Sequence, residues 1–287
     1  MNTVIAAGGV TQLKAAEPSH PVKKTGNNGG RLIAPVARGL YVLESFTAEH
    51  QWLGNGDIAL STGIPRASVS RILQSLTSLG YLQHDPCSRK YALAPRVLSL
   101  GYAAIAQSEV RLAARALMQT LADDADAYLT LGIRDRLDLF VLEACRGRRF
   151  DMAIDFRAGE RFPFSSSVSG WAMLGALPEL ERFYLLENIQ RKHPREWSRL
   201  RRRMGEAIAQ IADNGFCSAP CEWESELHIV AAPVLLEGSA PLALACICRA
   251  RRMSKARIDR EIGPRMVSIA MHLQNVHATS MPSGIVG

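Results

Sequence analysis

Residues 57–82 read DIALSTGIPRASVSRILQSLTSLGYL, and this stretch decides how the front of the chain folds. It predicts a short helix, a tight turn at Gly63, and a longer helix that opens with Pro65. In the longer helix Val69, Ile72, Leu73, Leu76 and Leu79 recur at helical spacing and form one apolar stripe. The opposite face carries Arg66, Ser68, Ser70, Arg71, Gln74 and Ser75, short polar groups and guanidiniums that reach phosphates and base edges without a deep pocket. That is the layout of a helix-turn-helix, whose partner is duplex DNA. A helical hairpin in a protein-binding module shares the stripe, so the flanking sequence has to discriminate.

Working outward, residues 36–46 (VARGLYVLESF) place Val36, Leu40, Leu43 and Phe46 on one helical stripe with Val42 flanking it. Asn55 or Asp57 is suited to cap the next short helix. Behind the long helix, residues 81–84 read as a strand, residues 85–88 (DPCS) as a turn and residues 89–93 (RKYAL) as a returning strand. A hairpin in that position is a wing, and it favours the DNA reading. The candidate DNA contacts are Arg38, Arg66, Ala67, Ser68, Ser70, Arg71, Gln74, Arg89 and Lys90. Ser68 and Ser70 sit near the helix start, where base edges are reached, and the arginines suit phosphates. The net charge of this part is small, so its grip on DNA depends on pairing of two copies and on well-placed contacts.

The remainder predicts an α+β domain. Residues 95–107 form a connecting helix and residues 110–123 another helix. Residues 127–133 and 137–144 read as paired strands, and 150–156 as a further strand. Three helices are expected over 169–177, 178–188 and 197–212, strands over 229–236 and 241–248, and a closing helix over 258–277. The expected organisation is a disordered tail over 1–34, a winged helix-turn-helix domain over 35–95, a linker helix over 96–108 and a larger domain over 109–280. The 287 residues carry a formal charge of +7 with 47% hydrophobic and 21% charged residues, an ordinary globular balance compatible with a nucleic-acid partner. No apolar run approaches the roughly 20 residues that span a bilayer. The first residues lack the features of a secretory signal, so the expected location is the cytoplasm and the six cysteines are expected as free thiols.

An enzyme is the competing class. G-x-S-x-G, H-E-x-x-H and G-x-x-x-x-G-K-[ST] are all absent. Ser165, Ser166 and Ser167 with His193 or His228 offer a nucleophile and a base on paper, but serines at a helix start more often cap it. No cofactor or metal is expected. The sharp alternative is that Cys217, Cys221, His228, Cys246 and Cys248 converge on zinc or act as a redox pair, against inert buried thiols as the default. The basic run over 191–203 (RKHPREWSRLRRR) reads as a solvated helix face ahead of a second DNA-binding arm.

Taken together, VARGLYVLESF, TGIPRASVSRILQSL, GYLQHD, KYAL and RVLSLG in the first part, then RAGERFPFSSSVSGWAML, NGFCSAPCE and HIVAAPVLLEGSAPLALACICRA, resemble the IclR family of bacterial transcriptional regulators from about Val36 to His277. The resemblance implies an N-terminal winged helix-turn-helix joined by a helix to a GAF-like α/β effector-binding domain. It also implies a homodimer or dimer of dimers on double-stranded operator DNA, and a small organic acid as effector of a repressor or activator. Carried over residue by residue, the effector site falls on Ser167, Val168, Ser169 and Gly170, on Leu227 and Ile229, and on Cys246 and Cys248. Trp171 stands where lysine is common and Ala219 where an acid occurs, which implies an apolar pocket suited to an aromatic ligand.

Overall fold

The computed structural model describes residues 33–47, 49–105 and 109–280, which gather into two compact units, 33–105 and 109–280. The tail expected over 1–34 lies outside the described residues except for its last two.

Two glycines punctuate the first unit. Helix α1 (Ala34–Glu44) precedes a two-residue strand β1 (Leu53–Gly54) and helix α2 (Asn55–Thr62), which ends at Gly63 with φ 68°. Helix α3 (Arg66–Ser78) ends before Gly80, where φ is 77° and the amide of Tyr81 donates to the Leu76 carbonyl. Glycine adopts this left-handed backbone without strain, so both helices stop cleanly. Strands β2 (Leu82–Asp85) and β3 (Lys90–Leu93) form the wing, and β1 pairs with the far side of β3 to give the order β1-β3-β2. Helix α4 (Arg96–Ile105) follows.

The first unit departs from several sequence expectations. Pro65 is the residue before α3, with ψ 137°, and Leu79 lies past its end and is exposed. Only the later half of the expected stripe on α1 is covered: Phe46 is in the core and Leu43 packs against it, whereas Val36 and Leu40 are 59% and 54% exposed and the flanking Val42 is fully buried. The core of this unit joins Val42 and Phe46 to Ile58, Ile64, Val69, Leu73 and Leu82, so α1 is turned toward α3 by its Val42 edge. Helix α2 is capped at Gly54, one residue before Asn55 and three before Asp57. Asp57 sits in its first turn and accepts a hydrogen bond from the Gly54 amide at 2.9 Å, the reach-back half of a capping box. Asp57→Ala is expected to weaken α2 by about 1 kcal/mol, read as faster amide exchange confined to residues 54–62 of the full chain.

The second unit is one antiparallel six-stranded sheet with helices on both faces. Its strands are β4 (Tyr128–Asp135), β5 (Asp138–Arg146), β6 (Arg161–Pro163), β7 (Cys217–Pro220), β8 (Leu227–Val234) and β9 (Leu242–Arg249), in the order β6-β5-β4-β9-β8-β7. One face packs on α5 (Glu109–Ala125), the other on α6 (Val168–Ala176) and α8 (Trp197–Asn214), with α7 (Glu179–Lys192) between those two helices in sequence. After a short turn α9 (Lys255–Arg257) and a π turn over Ile258–Ile262, helix α10 (Gly263–Ser280) joins α5. Each face carries its own apolar core. On the α5 face the buried carboxylate of Glu143 accepts from Arg111 at 2.7 Å and Arg115 at 2.6 Å, fixing α5 to β5.

Residues 150–156 are not a strand. Their carbonyls are taken by a side chain instead of a neighbouring backbone: the Arg146 guanidinium donates to Phe150, Met152 and Ile154 at 2.9–3.1 Å. The Tyr128 hydroxyl then donates to the Phe156 carbonyl and accepts from its amide, both at 3.0 Å. The short edge strands β6 and β7 were not foreseen.

Candidate functional site

Helix α3 presents a polar crest. Ala67, Arg71 and Gln74 are exposed on the side opposite Val69 and Leu73, while Ser68 and Ser70 lie half-buried on its two flanks. The flanking serines are therefore less available than their place near the helix start suggests. Arg66 leans away from the crest. Its Nη2 lies 3.2 Å from where a side-chain carbon on Gly56 would stand, so its guanidinium rests over the first turn of α2. The positive end of a helix dipole and a guanidinium together form a setting for a phosphate oxygen.

The wing is built by one carboxylate. Asp85 accepts from the amides of Cys87 and Ser88 at 3.0 and 3.2 Å and from the Ser88 hydroxyl, and these bonds, the hydroxyl first, hold its pKa below the usual value. The turn then passes through Arg89 at φ 54° into Lys90, so both cations are exposed at the tip. Arg38 is exposed on α1. Among the described residues, the ion pairs fall within Arg111–Arg265, and Arg38, Arg66, Arg71, Arg89 and Lys90 have none. Cations left without a carboxylate in one small unit, in contrast to the widely paired arginines of the second unit, make an anion-facing surface. Arg96 was not singled out by the sequence. It donates to the Leu79 carbonyl at 3.0 Å and lies over the Tyr81 ring, tying the start of α4 to the end of α3.

In the second unit Ser167 caps α6, its hydroxyl accepting from the Gly170 amide at 3.0 Å. Gly170 is a packing residue: a side-chain carbon there would fall 2.2 Å from the Phe164 carbonyl oxygen. Ser169 is half-buried. Val168, Leu227 and Ile229 join one core with Trp171, whose indole N–H donates to the Ser165 carbonyl at 2.8 Å. These expected residues are brought together.

Cys246 and Cys248 are not. They do share one face of β9, with sulfurs 3.9 Å apart, but it is the face covered by α5 and α10. The register pairs Ile229 with Ile247, so the β9 residues on the α6 side are Ala243, Ala245 and Ile247. A shift of one residue exchanges the two faces of a strand, so Cys246 and Cys248 stand one position out of phase with the α6 side. The zinc alternative meets the same obstacle. Cys217 and Cys221 belong to the α6 core, and the sheet separates them from Cys246 and Cys248. Burial pushes the Cys217 thiol up to about 12 and the Cys221 thiol to about 11. His228 pairs with Cys248 in the register, away from Ser167, and burial lowers its pKa.

A cleft of about 220 Å³ opens beside this core. Val168 and Trp171 of α6 form its floor, Cys217 and Ala219 of β7 one wall, and Arg203 and Gln210 of α8 the other. Arg203 and Arg199 both bind Glu222, and Gln210 accepts from the Ser218 amide at 2.8 Å. The basic run over 191–203 thus contributes to the rim of the cleft. The α8 contribution was missed because its signal is only a repeat of Leu200, Met204, Ala207 and Ile211, which marks a buried face and not a site.

Two family models match the chain: the IclR helix-turn-helix domain over residues 35–86 and the bacterial transcriptional regulator IclR C-terminal domain over residues 102–271. The HTH-type transcriptional regulator TsaQ1/TsaQ2 of Comamonas testosteroni is 29% identical over 261 residues, 90% of this chain and 94% of that protein. The p-hydroxybenzoate hydroxylase transcriptional activator of Acinetobacter baylyi is 23% identical over 85% of this chain and 92% of its own length. Among solved structures, an IclR family transcriptional regulator from Brucella abortus is similar with a TM-score of 0.75 and 33% identity, covering 85% of this chain and 93% of that one.

Proposed function

The chain belongs to the IclR family of bacterial transcriptional regulators, and on that premise we propose that it is a paired DNA reader whose occupancy is set by a small organic acid. The observation that carries the reading is the set of cations without ion partners on α3 and the wing. Arg71 and Gln74 on the crest face base edges in the major groove, with Ala67 in apolar contact. Arg66 takes a phosphate at the first turn of α2, and Arg89 and Lys90 follow the adjacent backbone. Arg38 adds a phosphate contact of lower weight. A single unit of this size has few contacts, so two copies read two half-sites. The exposed apolar residues Val36 and Leu40 of α1, with Leu98 and Tyr102 of α4, are the surface through which they pair.

The effector binds in the cleft at the start of α6. Its lining of Val168, Trp171 and Ala219 suits an aromatic or aliphatic body, and the Arg203 edge suits a carboxylate. The Acinetobacter relative, named for p-hydroxybenzoate hydroxylase, supports an aromatic acid and a catabolic operon. The acid acts only through a difference in affinity between two arrangements of the pair. A coupling of roughly 1–3 kcal/mol changes operator affinity about 5- to 150-fold. The chain works by binding, not turnover, and in the cytoplasm. Among the described residues no helix is long and apolar enough to cross a membrane.

The test is a mobility shift on the DNA upstream of the chain's own gene, repeated over a salt series with single-ring carboxylic acids added. A sequence-preferring, salt-steep shift that one of the acids changes is the expected result. Equal binding to unrelated duplex sinks the reading.

A further inference from the structure

The cation at the edge of the cleft already holds a carboxylate. Glu222 lies in the loop between β7 and β8, its side chain only 12% exposed, and it bridges two arginines of α8. Its Oε1 accepts from Arg203 at 2.5 Å and its Oε2 from Arg199 at 3.0 Å. Those arginines stand one helical turn apart, so a single carboxylate spans them. They differ in what they would keep without it. Arg199 also donates to Glu196 at 2.8 Å, whereas the ion pair of Arg203 among the described residues is with Glu222 alone. Arg202, the other arginine of the rim, faces Glu206 at 3.8 Å. Both cations that line the cleft are thus matched inside the chain.

A ligand carboxylate that reaches Arg203 offers the same charge-assisted bond that Glu222 makes. Glu196, Glu206 and Glu222 balance Arg199, Arg202 and Arg203. One more carboxylate leaves an anion in excess in a partly covered site, unless Glu222 gives way and turns to solvent. The loop that would move with it is tied to other parts of the unit. Trp223 sets its ring edge-on to Phe156 at 6.2 Å, and Glu226 accepts from Arg249 at 2.9 Å at the end of β9.

We propose that Glu222 is an internal competitor for the acid: it occupies Arg203 until a ligand carboxylate takes its place, and its release frees residues 221–226. A neutral analogue cannot make that exchange, so Glu222 also selects for charge. The exchange carries occupancy of the cleft into the loop that touches Phe156 and Arg249, and so supplies two arrangements with different affinities for the acid. It rests on the reading that the cleft takes an organic acid, and adds which residue the acid displaces.

Isothermal titration calorimetry and amide hydrogen exchange of the full chain with benzoate, 4-hydroxybenzoate and benzamide test this. In wild type, an acid that binds is expected to speed exchange over residues 221–226. Glu222→Gln keeps the shape of the side chain and one acceptor oxygen. It is expected to bind the acid at least about 10-fold more tightly, with no gain for benzamide and with the loop already exchanging fast before acid is added. Near-ultraviolet circular dichroism checks the fold of the variant, and the wild-type exchange result stands without it. Unchanged or lower acid affinity in Glu222→Gln, or an equal gain for benzamide, overturns the competition and leaves the cleft reading in place. So does a bound acid that slows exchange over 221–226 in wild type or leaves it unchanged. If neither protein binds either acid, or if Arg203→Gln leaves their binding intact, the cleft reading itself fails and the proposal with it.

Discussion

Replacing Arg71 with alanine is expected to lower affinity for the operator by about 1–3 kcal/mol in each half-site and to relax the preference for one base pair there. Arg66→Ala acts differently. Its guanidinium lies over the first turn of α2, a position proposed above for a phosphate, so its loss is expected to weaken all duplexes alike and to flatten the salt dependence by about one ion per half-site. The double variant, with both losses repeated in a paired reader, is expected to bind at least about 100-fold more weakly. Neither side chain is in an ion pair among the described residues, so stability changes little. Fluorescence anisotropy over a salt series separates the two effects. If Arg71→Ala weakens specific and unrelated duplex equally, the crest does not read bases.

Trp171→Ala is expected to destabilise the second unit by about 3–5 kcal/mol. The indole is fully buried in the α6 core and its N–H is held by the Ser165 carbonyl. Its removal leaves a void that opens onto the cleft floored by Val168. Because that void is ring-shaped and apolar, added indole is expected to raise the unfolding midpoint of the variant and not of wild type. Denaturant unfolding followed by tertiary circular dichroism reads both results. Wild-type stability in the variant would mean that Trp171 does not fill the core as described.

The two ends of this molecule were unequally legible. Helix α3 could be read from spacing because one of its faces meets a core and the other meets solvent, and because Gly63 and Gly80 mark where helices stop. On α1 the same spacing is right for Leu43 and Phe46 and wrong for Val36 and Leu40. Two apolar rows run along that helix, and only its packing on α3 decides that Val42 is covered and Val36 and Leu40 are not. Strand β9 was harder still. It is buried on both sides, so alternation carries no contrast between inside and outside. That Cys246 and Cys248 share a face follows from the period of two; which face it is depends on the partner strand. The edge strands β1, β6 and β7 span two to four residues, too few for any period to declare itself. The segment 150–156 is rich in apolar residues, yet its carbonyls answer to Arg146, a contact no local pattern announces.

The cleft beside the α6 core shows the same division. Its α6 side was visible through the serines and Trp171, whereas Arg203 and Gln210 come from a helix read as a solvated basic face. Glu222 draws Arg199 and Arg203 toward β7 and makes that face part of the rim.

On the proposed function, two copies of α3 read DNA together and a small acid resets them. Hydroxyl-radical footprinting of the full chain on the DNA upstream of its gene tests it most directly. Two protected half-sites on one face of the duplex are predicted, about 34–36 Å apart or a multiple of that, with protection altered by at least one single-ring carboxylic acid. A single uninterrupted patch with no sequence preference, unchanged by every acid tried, would contradict it.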